Sequence, residues 1–348
     1  MIIDLPQTST SALTRKLVDL RNQVGAMTIS RVLTLIVVVD QDSADDAIAV
    51  ATDASRQHPS RIIVVVAGTR RGTSDLSGQI RLGGDAGASE VVVLRLVGRL
   101  AGHPQSVVVP LLLADTPVLA WWPRQAPRDL GTDPIAQLAS RRITDSAESG
   151  RPSAMLKQLA ATYRPGDTDL AWTRLTLWRG LLAAALDGPP YESVTEAVVS
   201  GAVASPSADL LAAWLAHALR APTRRAQIQD GSGVGSVRLE RNSGPIDLVR
   251  VGDLGARMTR PGQPDRRMSL RRLSDAECLA EELRRLDPDE TYADALRKGL
   301  PKVTRPRGSA GAAAVSPARR RAERLRRNRS AQLAASTVLE HTTEPTRG

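Results

Sequence analysis

The chain has 348 residues, 42% of them apolar and 24% charged, with a net charge of +10 and one cysteine, Cys278. That length supports two ordinary domains with real cores, and a lone cysteine excludes an intramolecular disulfide and fits a reducing compartment. The charge excludes less than it suggests: Thr304 to Gly348 holds ten Arg against three Glu, +7 of the total, so the excess belongs to a tail rather than to a folded basic surface.

Only four of the 47 basic residues are Lys, and Phe is absent, a pattern that reads as GC-rich coding bias more than as phosphate recognition. The start, MIIDLPQTST, lacks the basic segment and apolar block of a secretory signal. The longest apolar stretch, Ser106 to Trp122, is interrupted by Pro110, Asp115 and Pro117, whereas a membrane span needs roughly 20 apolar residues. A soluble, cytoplasmic protein is expected.

Leu13, Leu17, Leu20 and Val24 recur at helical spacing and predict a first amphipathic helix ending at Gly25. The run VLTLIVVV within 31–40 suits a strand buried on both faces, and Ser43-Ala44-Asp45-Asp46 starts a helix to about Gln57. RIIVVVA at 61–67 is a second buried strand, so strand, helix and strand form a parallel βαβ unit. Further strands are predicted at 79–82, 90–97, 118–122 and 142–144, with helices at 104–113, 134–140 and 151–160.

The stretch DTDLAWTRLTLWRGLLAAALDGPP at 167–190 reads as one long helix, capped by Asp167 or Thr168 and stopped by Gly188-Pro189-Pro190. It carries two apolar stripes, with Trp172 and Arg179 between them, as expected of a helix wedged between layers or domains. Helices follow at 193–203 and 207–219. Five short segments at 225–229, 234–241, 246–251, 256–259 and 267–272 suggest an antiparallel meander, and helices at 274–286 and 289–298 close the fold. The expected class is therefore α/β: a mostly parallel N-terminal sheet with flanking helices (1–165), then an α+β domain with helices and a small antiparallel meander (166–303), then an Arg-rich disordered tail (304–348).

Chemistry-bearing motifs are sparse. The four histidines and the cysteine have no metal-ligand spacing, and no Walker loop, GxGxxG, GxSxG or HExxH is present. No catalytic residue, metal ligand or cofactor site is expected. The nearest thing to an anion loop is 83–89, where Gly83, Gly84, Gly87 and Ser89 could turn backbone N–H groups inward; Asp85 would repel phosphate, and the loop precedes a strand. Trp121 and Trp122 end a strand, so their indoles point to opposite faces; one suits the core and the other a cleft or partner surface. Trp172, Trp178 and Trp214 suit core anchoring; Trp172 and Arg179, together with His58 and Arg61, which flank an ordinary helix-to-strand turn, are also candidates for a partner interface or cleft. The tail has no aromatic side chain to stack on bases, so nucleic-acid binding is not expected.

Several of these stretches together resemble one family. His58-Pro59-Ser60-Arg61, GGDAGASEVVVLRL at 83–96, PVLAWWP at 117–123, RRITDSA at 141–147, GDTDLAWTRLTLWRGLLAAALDGPP at 166–190 and ECLAEELRRLDPDETYADAL at 277–296 are similar to the actinobacterial and cyanobacterial OpcA proteins, the glucose-6-phosphate dehydrogenase assembly proteins. The resemblance covers about residues 1–303 and implies an interaction protein, not an enzyme, whose partner is glucose-6-phosphate dehydrogenase. It carries over no catalytic residue. An alternative reading of the residues is a small-ligand or enzymatic α/β protein acting on a sugar phosphate or nucleotide at its strand ends.

Overall fold

A computed structural model describes residues 1–24, 32–56, 58–82, 89–228 and 232–305. They fall into two compact units.

The first unit gathers Met1–Asp145, Arg164–Thr168 and Ala276–Pro288. Its strands are β1 (Ile2–Leu5), β2 (Leu33–Val39), β3 (Ser60–Ala67), β4 (Asp75–Leu82), β5 (Glu90–Val97), β6 (Val118–Trp122) and β7 (Arg141–Thr144). With β8 (Asp167–Asp169) they form an eight-stranded sheet in the order β1-β4-β5-β3-β2-β6-β7-β8. The centre, β5-β3-β2-β6-β7, is parallel, and β4 and β1 add antiparallel strands at one edge. Parallel strands buried on both faces need apolar side chains in both directions. The VVV runs of β2, β3 and β5 meet that need, being buried almost end to end. The helix α1 (Thr10–Val24) buries Leu13, Leu17 and Leu20 of the predicted stripe; the side chain of its fourth member, Val24, lies outside the described residues. Next, α2 (Ala44–Ala54) makes the β2-α2-β3 crossover, and α3 (Pro104–Val108) precedes β6.

The second unit gathers Ser146–Tyr163, Asp169–Asp275 and the residues from Asp289 on. It holds α4 (Pro152–Thr162), α5 (Leu170–Thr173), α6 (Thr176–Leu186) and α7 (Pro206–Ala218). Its sheet runs β14-β13-β12-β11-β9-β10-β15. The strands are β9 (Glu196–Ala202), β10 (Thr223–Ile228), β11 (Val234–Glu240), β12 (Ile246–Val251), β13 (Gly255–Arg260), β14 (Gln263–Ser269) and β15 (Val303–Thr304). Strands β11 to β14 form the expected antiparallel meander, but β10 pairs parallel to β9 through the α7 crossover. In chain order the meander is followed by α8 (Asp275–Arg284), nearly all of which belongs to the first unit, and then by α9 (Glu290–Asp294) and a π-helical turn at Ala295–Gly299 in the second.

Three expected helices come out differently. Residues 193–203 are the strand β9, because Glu196, Val198, Ser200 and Ala202 alternate with the buried Ala197, Val199 and Gly201. Small residues permit helix or strand, and the pairing with β10 and β11 decides. Residues 134–140 contribute only the 3-10 turn Ala136–Leu138. The stretch at 167–187 is not one helix: Asp167–Asp169 pairs as a strand, Asp169 then caps α5, and the chain breaks at Arg174-Leu175 before α6.

Candidate functional site

At the carboxyl ends of the first sheet, strand order reverses between β2 and β6, the crevice where open α/β sheets hold ligands. A chain of hydrogen bonds links the residues at these strand ends. Arg124 Nη1 donates to Ser43 Oγ at 3.1 Å, Ser43 Oγ donates to Asp40 Oδ1 at 2.5 Å, and the Ser43 N–H donates to the same oxygen at 2.9 Å. The turn entering α2 is Asp40-Gln41-Asp42-Ser43-Ala44-Asp45-Asp46, with no glycine and four carboxylates. Acids favour the N-terminal end of a helix dipole, but they repel the pyrophosphate that a glycine-rich turn would cradle there.

The Trp121-Trp122 pair ends β6. Alternation sends the indoles to opposite faces, yet both are buried, at 2% and 1% exposure. β6 lies inside the sheet between β2 and β7, with both faces covered, so neither indole lines an open cleft in this chain. Trp121 Nε1 has no hydrogen-bond partner among the described residues.

Arg61 is a building element. Its Nε meets Glu90 Oε1 at 2.7 Å, and its Nη1 donates to the Leu111 carbonyl at 2.6 Å. Glu90 stands directly opposite on β5 and is fully buried, so the pair ties two neighbouring strands to the segment after α3. His58 is half-buried in the preceding turn: its N–H donates to the Ser55 carbonyl and its carbonyl accepts from Ser60 Oγ. Ser89, the last residue of the glycine-rich stretch, is buried; its Oγ donates to Ser55 Oγ at 2.7 Å and accepts from the Ser60 N–H at 3.2 Å. Gly83, Gly84 and Gly87 lie outside the described residues.

Trp172 and Arg179 are brought together, in the second unit. The Arg179 guanidinium lies 3.8 Å from the Trp172 ring centroid. Trp172 is 1% exposed, and its Nε1 donates to Asp289 Oδ2 at 2.9 Å. The other oxygen of Asp289 accepts from the Tyr292 N–H at 2.8 Å, which caps α9. Tyr292 in turn packs on Trp172 at 5.8 Å and edge-on to Tyr163 at 6.2 Å, and Arg297 lies 5.8 Å from the Tyr163 ring. The result is a column with one guanidinium at each end. A cation over a desolvated indole is worth about 2 kcal/mol, which suits a brace between α5, α6 and α9. Trp178 is likewise buried, with Arg250 5.4 Å from its ring. Burial, and then the nearby Arg272, pushes the Arg250 guanidinium down to about 10, so it stays charged at neutral pH. Trp214 departs from expectation in being only half-buried on α7.

Sequence reasoning passed over a set of buried arginines. Arg141 is fully buried and its Nη2 donates to Glu282 Oε2 at 2.6 Å. Arg225 meets Asp209 at 3.1 Å and donates to the Gly201 carbonyl, and Arg305 reaches the other Asp209 oxygen at 3.2 Å. Arg142 pairs with Asp167, and Arg174 with Asp275 at 2.9 Å. Burial holds Arg225 below its ordinary value despite Asp209, and raises the Asp167 carboxyl despite Arg142. Desolvation thus outweighs the partner in both. For Arg141 and Arg225 the signal was RRITD and TRRAQ, where arginine sits in a strand pattern at a position that faces inward.

Residues 51–161 match the family model for the N-terminal domain of the glucose-6-phosphate dehydrogenase subunit, from the OpcA assembly family. Residues 165–296 match the model for the C-terminal domain of the same protein. The chain belongs to the OpcA family. The matched ranges include β6, β7, α5 and Trp172. No curated protein matches the chain. Among solved structures, the chain is similar to KijD10, a 3-ketoreductase from Actinomadura kijaniata in complex with NADP, at 12% identity over 78% of this chain and 98% of that one, with a TM-score of 0.43. It is also similar to a glucose-6-phosphate dehydrogenase in complex with glucose-6-phosphate, at 8% identity over 79% and 91%, with a TM-score of 0.36. Among the described residues no helix is long and apolar enough to cross a membrane, and no group of three or more His, Cys, Asp or Glu could hold a metal ion.

Proposed function

We propose that this chain is a non-catalytic binding partner of glucose-6-phosphate dehydrogenase that promotes its assembly, its allosteric activation, or both, in the oxidative pentose phosphate pathway of the cytoplasm. The observation that carries the reading is that both matched domains belong, by description, to a glucose-6-phosphate dehydrogenase assembly protein. It is supported by the site chemistry: Arg124, Ser43 and Asp40 are hydrogen-bonded to one another at the strand ends, and Trp172 and Arg179 brace helices. A partner that binds the assembled or active form better than the free form shifts the population by that difference, about 1–3 kcal/mol in ordinary allosteric coupling.

The test is titration of the purified chain into its cognate dehydrogenase, read by light scattering and by initial rates. Expected are co-elution and a change of about 5- to 150-fold in apparent affinity or in the assembled fraction. No co-elution, with mass and rates unchanged at saturating chain, overturns the proposal.

A further inference from the structure

Among the described residues, the second sheet has one face packed and one face bare. On the packed side lie Ala197, Val199, Val237, Leu239, Leu248 and Met258, all buried, with α7 across β9 and β10. Register places a different set on the opposite face. Ala226, Ser200, Ser236 and Val249 run side by side across β10, β9, β11 and β12, and Arg257 and Arg267 continue the row on β13 and β14. The first four are short and only partly buried, so the middle of this face is flat.

Two features distinguish this face from ordinary solvated surface. Its charges cancel: Arg224, Arg238, Arg257 and Arg267 stand against Glu196, Glu240, Asp247 and Asp265. Most are paired within the sheet, Arg238 with Glu240 at 2.5 Å and with Asp247 at 2.9 Å, Arg224 with Glu196 at 3.5 Å, and Arg257 with Asp265 at 3.8 Å. At the other end of the strands the side chains are apolar and bare: Val251 is 57% exposed, Leu254 50% and Val203 42%, with Ile228 beside them.

We propose that this bare face docks on the same face of a second copy of this chain. A surface whose charges sum to zero and are already paired does not repel its own image, whereas a one-signed face would. A two-fold axis lying along the strands sets the apolar end against the apolar end and the ion-paired end against its equivalent, as an isologous contact requires. The size also fits. Six strands at about 4.8 Å spacing and six or seven residues at about 3.3 Å rise give a plane of roughly 600 Å². Side-chain relief brings that toward the ~800 Å² per partner of a standard interface. Flat sheets with short side chains pack face to face about 10 Å apart.

The test is the mass of the full chain at tens of micromolar by light scattering, for the natural sequence, V249R and V251D, with thermal midpoints as a check on folding. Both substitutions lie on the bare face, and Val251 is exposed enough that V251D leaves the fold intact. The expected result is a dimer that dissociates at least tenfold more readily in each variant, with midpoints at low concentration unchanged. A monomeric natural chain overturns the proposal, as does a dimer that neither variant weakens. A monomer whose capture of the dehydrogenase fails in both variants also overturns it, and assigns the face to the enzyme; dimer disruption with capture intact supports it independently of the function proposed above.

Discussion

Trp172 and Asp289 are 117 positions apart in the chain, yet the indole Nε1 donates to Asp289 Oδ2 at 2.9 Å while Asp289 Oδ1 caps α9. One carboxylate thus orients the largest side chain of α5 and starts a helix. The cap orders α9, and α9 supplies Tyr292 to the other side of the indole. The two contacts therefore reinforce each other.

Trp172→Phe removes the N–H donor and leaves a smaller aromatic ring in its place. Trp172→Phe is expected to cost about 1–3 kcal/mol through the weakened partnership of a charged, part-buried carboxylate and the loss of ring area under Arg179. Asp289→Asn, which keeps a capping oxygen, is expected to cost less than Asp289→Ala. Urea unfolding of the three variants checks the order; a Trp172→Phe protein as stable as the natural one removes the brace from the account.

The Arg141–Glu282 pair lies in a fully buried place, at 0% and 6% side-chain exposure. Truncating one partner leaves the other charged and dry. Glu282→Ala is expected to cost about 3–5 kcal/mol, and the double variant Arg141→Met/Glu282→Leu distinctly less than the single one. A double-mutant cycle in urea reads the difference.

Two glycines give opposite expectations. A Cβ on Gly299 would stand 2.0 Å from the backbone oxygen of Ala213, so the π-helical turn meets α7 only because that position lacks a side chain. Gly180 sits mid-helix in α6 with nothing within 4 Å of its Cβ position. Gly299→Ala should lower the thermal midpoint sharply, while Gly180→Ala should raise stability by about 0.5–1 kcal/mol. Differential scanning calorimetry of both decides the matter.

Asp294 carries a pH signature. The Lys298 ammonium at 2.7 Å, and then His217 at 3.2 Å, hold its carboxyl below the ordinary value of 3.8. A depressed carboxyl contributes stability that is present above the unfolded value and lost as pH falls through the folded one. The side chain is 37% exposed, so solvent screens the pair and the contribution is about 0.3–0.5 kcal/mol. Asp294→Asn should therefore be slightly less stable at pH 7, and the gap should shrink as pH drops below 3.8. Urea midpoints at pH 7 and pH 3 measure it; a gap that widens in acid contradicts the assignment.

The tail is expected to be dispensable for the enzyme contact. The matched C-terminal domain ends at residue 296, and Arg305 is the last residue with a described contact, to Asp209. A chain ending at Arg305 should capture glucose-6-phosphate dehydrogenase as the full chain does, in a pull-down at matched salt. Loss of capture would move the contact into the tail.

Where one periodicity dominated, the sequence was sufficient. The β2-α2-β3 unit, α1, α7 and the β11–β14 meander follow from apolar runs, a helical stripe and evenly spaced turn residues, all local properties. It was not sufficient where long-range pairing chose between two permitted states. EAVVSGA at 196–202 satisfies helix as readily as strand, and it is a strand because Gly201 lets β9 pass within reach of the Gly233 carbonyl and the Ala208 side chain. Asp167–Asp169 has no strand signal at all; its two buried carboxylates are satisfied by Arg142 and Ser146 and the Thr168 carbonyl by Thr144, while Thr168 Oγ1 has no partner among the described residues. The same limit applied to the candidate residues. Local chemistry named Arg61, Trp121, Trp172 and Arg179, and only the tertiary structure could say that Glu90, Asp289 and the sheet's own layers absorb Arg61 and the two tryptophans, while Arg179 stacks on Trp172. A side chain's partner in a folded chain is set by closure over long sequence distances, which no window of neighbouring residues contains.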